Sequence, residues 1–243
     1  MTEIIFSDEL IKSEIKISIA IVKITDFTII SKKYDFAPKI YEIVSELRNK
    51  YSIKSLKDDP IIAGYRKFYW NQLHIDPTKI RPSSEALVRR ILKNAKNSNE
   101  PNFPKISPFV DAYNWASAET LIPMGAYDIN SFEPPILFRL TGKNEEFVPI
   151  GNGNEKRILK PNTLVIADKN GKILSQFPYR DSKFSMVREN SKNIILIACG
   201  VPGISKEQLF RALNGTKNNL EYLRNMKVIK FRLNKFEYFS LLE

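Results

Sequence analysis

One cysteine and one histidine occur in 243 residues, and these two scarcities remove much of the usual catalytic chemistry. A single Cys199 excludes an internal disulfide and points to a reducing, cytoplasmic setting. One His and one Cys cannot build a typical zinc site, so no metal is expected. A Ser-His-Asp triad would have to run through His74, in LHIDP ahead of a proline loop, and the chain has no GxSxG elbow to supply the nucleophile. Cys199 itself sits in the apolar run IILIACG. A thiolate needs polar, electropositive surroundings, so Cys199 reads as a small buried residue. The glycines of IGNGNEK, and the GK pairs at 142–143 and 171–172, lack the upstream spacing of a phosphate-binding loop. Neither ATP nor another cofactor is expected. The longest apolar runs, such as 194–200, are far too short to span a bilayer. The opening residues include Glu3, Asp8 and Glu9 in place of a basic-then-apolar lead, so a secretory signal is not expected. No repeat and no low-complexity linker interrupts the chain.

What is present is a globular composition with a strong charge. At 43% hydrophobic and 27% charged residues the chain can bury a sizeable core and is not of the disordered class. Its net charge of +11 and isoelectric point near 9.5 attract polyanions, of which nucleic acid is the usual one. A plain lysine-solvated surface accounts for the same numbers.

Periodicity places the elements. Ile15, Ile17, Ile19 and Ile21 alternate with polar residues over 14–22, a half-buried strand. Residues 40–51 carry apolar positions at helical spacing. Asp59-Pro60 opens another helix, and Ser83 or Ser84 caps a third, with Leu87, Val88, Ile91, Leu92 and Ala95 in one stripe. Residues 97–105 are a polar loop. Residues 163–167 and 172–177 form a hairpin about Asp168–Gly171, and 193–199 reads as a central strand. Ser205 with Gln208 makes a capping box ahead of a helix to about Met226, and 229–233 is a last strand. The expected fold is α+β: a single unit over 1–243 with a β-rich, sandwich-like mixed core and flanking helices. Its parts are an N-terminal strand and helix (1–59), a core (60–205) and a C-terminal helix and strand (206–243).

Two polar clusters are candidates for chemistry. The first, Asp111, Asn114, Ser117 and Asp128 with Gly125 and Ala126, lies in VDAYNWASAETLIPMGAYD. It fits either a pocket wall or a set of caps and solvated positions. The small Gly125-Ala126 pair admits close approach of a ligand. The second, FPYRDSKFSMVRENSKN, brings Arg180, Asp181, Ser182, Ser185 and Glu189 between the hairpin and the central strand. Such loops at strand ends bind ligands, or form solvated turns. Arg89, Arg90, Lys93 and Lys96 flank the apolar stripe of the third helix and are the candidate RNA contacts.

These segments resemble the editing (B3/B4) domain of bacterial-type phenylalanyl-tRNA synthetase beta subunits. VDAYNWASAETLIPMGAYD is similar to its V-D-x-x-N-Y segment followed by Pro and H-A-F-D. PNTLVIADKNGKIL, the Ser185–Val187 region and SKNIILIA resemble its D-T-L-V-I-A-D, S-x-V and T-x-N-I-L-L segments in the same order. YRKFYWNQLHIDPTKIRPSSEALVRRIL looks like the opening of free-standing versions. The resemblance covers about residues 60–205. It implies a β-rich core with flanking helices and hydrolysis of the ester of tRNA wrongly charged with tyrosine. This chain has Gly125 where that family has the His of H-A-F-D, and Ile197 where it has the Glu of L-L-E-S-A. The leading expectation is an aminoacyl-tRNA deacylase acting in trans. Water would attack directly, with amides near Gly125 and Ala126 holding the oxyanion and Asp128 or Glu189 orienting water or binding the ammonium. Asp111, Asn114, Ser117 and Arg180–Ser185 would bind the substrate. The alternatives are a tRNA- or RNA-binding protein without catalysis and an amino-acid-binding module, the last opposed by the basic excess.

Overall fold

The alternating isoleucines do form a strand, but not over the span that the pattern alone suggests. The computed structural model describes residues 3–31, 33–93, 103–151, 153 and 155–242. Strand β1 (Ile4–Phe6) and helix α1 (Asp8–Lys12) precede β2 (Ser18–Ile29). The segment before Ser18 is held otherwise: the Lys16 N–H donates to Gln72 Oε1 at 2.8 Å. β2 runs on to Ile29 because it finds partners along its whole length, as described below.

Helix α2 (Ala37–Lys50), a 3₁₀ turn (Ser55–Asp58), α3 (Pro60–Asn71) and α4 (Ser83–Leu92) follow. Asp59 caps α3 by accepting from the Ile61 N–H at 2.9 Å, with Pro60 in the first turn, where its missing N–H is harmless. At α4 the expected serine cap is absent: Pro82 holds the cap position without a side-chain bond. Ser83 and Ser84 lie inside the first turn, and Ser84 is fully buried.

The polar segment 108–120 is helix α5 (Pro108–Thr120), closed by Leu121 in the left-handed region at φ 61°. After it come β3 (Met124–Asp128), β4 (Ile136–Leu140), β5 (Glu146–Phe147), β6 (Arg157–Ile158), β7 (Leu164–Ala167), β8 (Ile173–Gln176) and β9 (Arg180–Asp181). The β7–β8 turn has the expected glycine at positive φ, Gly171 at 81°. The Asp168 carboxylate tightens it by accepting from the Asn170 and Lys172 N–H groups at 2.9 and 2.8 Å. The chain ends with β10 (Ile194–Gly200), α6 (Lys206–Asn225), β11 (Ile229–Leu233) and β12 (Glu237–Ser240). Both bonds of the capping box at Ser205 and Gln208 are made.

The strands form two five-stranded sheets and a small ribbon, β5–β6. The first sheet is ordered β1-β4-β7-β8-β9. The second is ordered β11-β2-β10-β3, with β12 also on β2. β10 is antiparallel to β2 on one side and β3 on the other, and every residue of it is buried. On its far edge β2 pairs with β12 near Ser18–Ile21 and with β11 near Ile24–Ile29. Helix α6 packs on β10, β2 and β11, and α5 packs on α6. One face of the first sheet, through Ile136, Phe138, Leu164 and Ile166, joins the same core. Its other face holds Val165 and Ile173 with Phe147 and Leu159 in a smaller cluster. The fold is α+β.

The N-terminal helices are tied by charge. Glu85 on α4 is fully buried and meets Arg66 of α3 at 3.0 Å, with Arg81 and Arg89 at 3.8 and 3.9 Å. The burial cost of its charge is offset by these pairings.

The tightest packing in the second sheet is at the end of β10. A Cβ on Gly200 would meet Leu209 Cδ1 at 2.9 Å and the Ser18 carbonyl at 3.0 Å, besides the Ser18 hydroxyl. Backbone cannot yield as a flexible side chain does. Gly200→Ala is therefore expected to cost about 1–3 kcal/mol, read as a lower urea midpoint at unchanged slope.

Candidate functional site

The register of β10 on β3 builds a pocket. Gly125 lies directly across from Ile197, and Ala126 from Leu196. Directly opposed residues point to the same side of a sheet, and so do residues two apart on a strand. Gly125, Tyr127, Ile197 and Cys199 therefore share one face. Over it sits a cavity of about 40 Å³ lined by Gly125, Tyr127 and Cys199, by Ser175 and the 178–181 segment of the first sheet, and by Ser83 at the start of α4. Arg180 and Asp181 thus meet Gly125 from a segment far away in sequence.

Its electrostatics are those of a half-buried acid among hydroxyls. Tyr127 Oη donates to Asp181 Oδ1 at 2.9 Å. Burial pushes the Asp181 carboxyl up to about 6, against the opposing pull of hydrogen bonds from Tyr127 and Ser175. Burial, with the Asp181 charge, also pushes the Cys199 thiol well up, so Cys199 stays protonated and is a poor nucleophile. Tyr65 donates to the Cys199 carbonyl. Tyr69 Oη is buried with no hydrogen-bond partner among the described residues, and burial pushes its phenol well up. A buried hydroxyl of this kind is costly unless something completes its hydrogen bonding.

Gly125 is required by Tyr127. A Cβ at 125 would stand 3.0 Å from Asp181 Oδ1 and against the Tyr127 ring and hydroxyl. The resembling family has His and Phe at these two places. Here the hydroxyl added at 127 occupies space freed by the side chain missing at 125. The other departure, Ile197, is the cross-strand partner of Gly125. Two polar family positions are thus replaced at one spot, facing each other.

The remaining sequence candidates lie elsewhere. Ala126 is buried on the opposite face of β3. The Ile129 N–H donates to Asn193 O and the Cys199 N–H to Pro123 O. Alternation between these bonds turns the Gly125 N–H into the β10 ladder, away from any oxyanion. Asp128 accepts from Ser191 Oγ at 2.5 Å and the Asn130 N–H at 3.0 Å, and Glu189 is exposed; neither lines the pocket. Asp111 accepts from Tyr34 Oη at 2.5 Å and the Ile106 N–H at 2.8 Å. Ser117 donates to Ile122 O at 2.6 Å, and Asn114 is half-buried on α5; none of these three reaches the pocket. The Ser182 N–H and the Ser185 hydroxyl both bond the Leu174 carbonyl, at 2.8 and 3.0 Å. On α4, Arg89 donates to Ile53 O at 2.9 Å, while Arg90 and Lys93 are exposed; Lys96 lies outside the described residues. Sequence reasoning missed Tyr127, Ser175 and Tyr179. The Tyr of GAYD was the available signal for Tyr127.

A second, larger cleft of about 890 Å³ adjoins the first. Tyr179 is a wall of both. Among the described residues no group of three or more His, Cys, Asp or Glu is placed to hold a metal, and no helix is long and apolar enough to cross a membrane.

No curated protein matches the chain. Among solved structures, an N-terminal fragment of the phenylalanyl-tRNA synthetase beta subunit from Pyrococcus horikoshii is similar at 19% identity, with a TM-score of 0.42, over 54% of this chain and 43% of that one. The chain thus matches less than half the length of that fragment. The B3/4 domain is matched over residues 64–224, well over half of the chain and inclusive of every residue that lines the smaller pocket, and the protein belongs to the B3/4 domain family.

Proposed function

We propose that the protein binds the acceptor end of an aminoacyl-tRNA and hydrolyses the aminoacyl ester in trans. One observation carries the reading: Gly125, Tyr127, Arg180 and Asp181, drawn from two segments that resemble the synthetase editing domain, line a single pocket with a titratable acid in it. An aminoacyl ester is already reactive, so positioning of water and stabilisation of the oxyanion suffice. Asp181, with a carboxyl pushed up to about 6, is suited to accept a proton from water near neutral pH. That water attacks the ester carbonyl. Once Asp181 holds that proton, the Tyr127 hydroxyl, which lines the same pocket, is the donor for the oxyanion. Collapse expels the ribose oxygen, which takes the proton back from Asp181, and leaves free amino acid and tRNA. Cys199, held as a thiol, has no part in bond making.

The size of the pocket bears on the amino acid. An apolar cavity of about 150 Å³ holds benzene, whereas this one has about 40 Å³. With Tyr127 bonded in place, an aromatic side chain does not fit, so the acyl group taken here is small. The basic excess and the exposed Arg90 and Lys93 suit contact with tRNA phosphates. A reducing cytoplasmic setting suits the single cysteine.

A second reading, tRNA binding without catalysis, is favoured by Gly125 and Ile197 standing where the family has His and Glu. A panel of mischarged tRNAs separates the two. Release of amino acid from at least one substrate is expected, and none released from any would leave binding alone. Binding itself is expected to weaken with salt, with a log–log slope of about −0.7 to −0.9 per phosphate contact.

Enlarging Gly125 to Val should fill the pocket and abolish hydrolysis, while tRNA affinity, dominated by phosphates, stays nearly unchanged. Asp181→Asn should lower kcat by about 10²–10⁴-fold. In the unaltered protein kcat should fall as pH drops through about 6, where Asp181 takes up its proton. The sign for stability is the reverse. The folded carboxyl titrates above its unfolded value, so between the two the native state holds a proton that the unfolded chain has released. Stability from this group therefore falls as pH rises. Asp181→Asn should thus raise the melting temperature at neutral pH, by about 2–4 °C for each kcal/mol relieved. A variant that is less active and also less stable would count against this account of Asp181.

A further inference from the structure

We propose that the large cleft beside the pocket is the seat of the last nucleotides of a single-stranded RNA 3′ end, with Tyr179 as the stacking platform. The inference builds on the deacylase reading by assigning the part of the molecule that holds the RNA terminus. Its volume of about 890 Å³ is within the range of ligand sites, about 300–1,000 Å³, and far above that of the acyl pocket. Tyr179 belongs to both cavities, so a base stacked on its ring leaves the attached ribose at the mouth of the smaller one. That is where an ester on the terminal ribose must lie for Asp181 to act.

The lining has the chemistry of a single-strand site. Such sites combine an aromatic face, which accepts any base, with amides for base edges and cations for the backbone. Gln72 is held by the Lys16 N–H on its Oε1 at 2.8 Å, which leaves its amide NH₂ to donate. Asn162 and His74 both line the cleft in the left-handed region, at φ 63° and 53°. Arg157 and Lys160 are exposed at the rim. Neither side chain has an ion pair or hydrogen bond among the described residues, unlike Arg66 and Arg89, whose guanidiniums are engaged. They are the two cations of the cleft left for phosphates. The path from this rim past Tyr179 to Asp181 sets the polarity: the 3′ terminus is innermost.

The test is fluorescence anisotropy of the full chain with an RNA tetramer ending in CCA, labelled at its 5′ end. Saturable binding is expected. Tyr179→Leu should weaken it about 10-fold, the usual worth of one stacked base. The double charge reversal Arg157→Glu, Lys160→Glu should weaken it at least as much and reduce the salt slope by about 1.4, that is about 0.7 for each lost phosphate contact on a single strand. These rim residues are exposed, so the double variant answers the question even if Tyr179→Leu disturbs the first sheet. A 3′-phosphate on the tetramer should weaken binding, because the innermost end has little room. Lys230→Glu, on β11 of the other sheet, should change nothing. Equal affinity for the cleft variants and the unaltered protein overturns the assignment, as does an absence of saturable binding. Oligonucleotide binding with these sensitivities but no ester hydrolysis would refute the deacylase and leave the cleft assigned. Hydrolysis indifferent to the cleft variants would do the opposite.

Discussion

The antiparallel register of β10 is the constraint from which the site follows. One strand, buried along its whole length, fixes β2 on one side and β3 on the other. A slip of one residue would turn each side chain to the opposite face and take Ile197 away from Gly125. Because the register holds, Gly125 faces Ile197, Tyr127 projects over Gly125, and Cys199 lies beside them. The close fit of Gly200 against Ser18 and Leu209 pins the far end of the strand.

The pocket shows how a change at one position is absorbed by its neighbours. A side chain at 125 and a hydroxyl at 127 compete for one volume, and this chain has the hydroxyl. Opposite them Ile197 is fully buried, where a carboxylate would need a partner that Gly125 does not supply. The polar function of the site then rests on Asp181, brought from the first sheet and kept protonatable by burial. Such an acid opposes stability at neutral pH.

Charge is distributed less simply than a net value of +11 suggests. Arg66, Arg81 and Arg89 surround the buried Glu85 and join α3 to α4. Lys39 lies over Trp115 and Tyr222, Lys172 over Phe184, and Lys206 over Phe210 and Tyr238. These contacts hold cations against the protein. The helix stripe that suggested RNA contacts on α4 is in part such a structural element, as Arg89 illustrates.

Local signals in the sequence determined the elements. The β7–β8 hairpin about Gly171, the Asp59-Pro60 start of α3, the apolar β10 and the capping box of α6 depend on φ preference, capping and burial over a few residues, all visible in the order of amino acids. The scarcity of Cys and His likewise settled which chemistries to leave aside. Tertiary structure decided the rest. The length of β2 depended on three partner strands. The Asp111 and Ser117 side chains of α5 bond Tyr34, the Ile106 N–H and the Ile122 carbonyl, partners that periodicity along the helix does not reveal. Asp181, not Asp128 or Glu189, lines the pocket because the closing of the first sheet on the second brings its carboxylate to the Tyr127 hydroxyl. A side chain's titration and reach are set by neighbours distant in the chain, and that information enters only when the sheets close on one another.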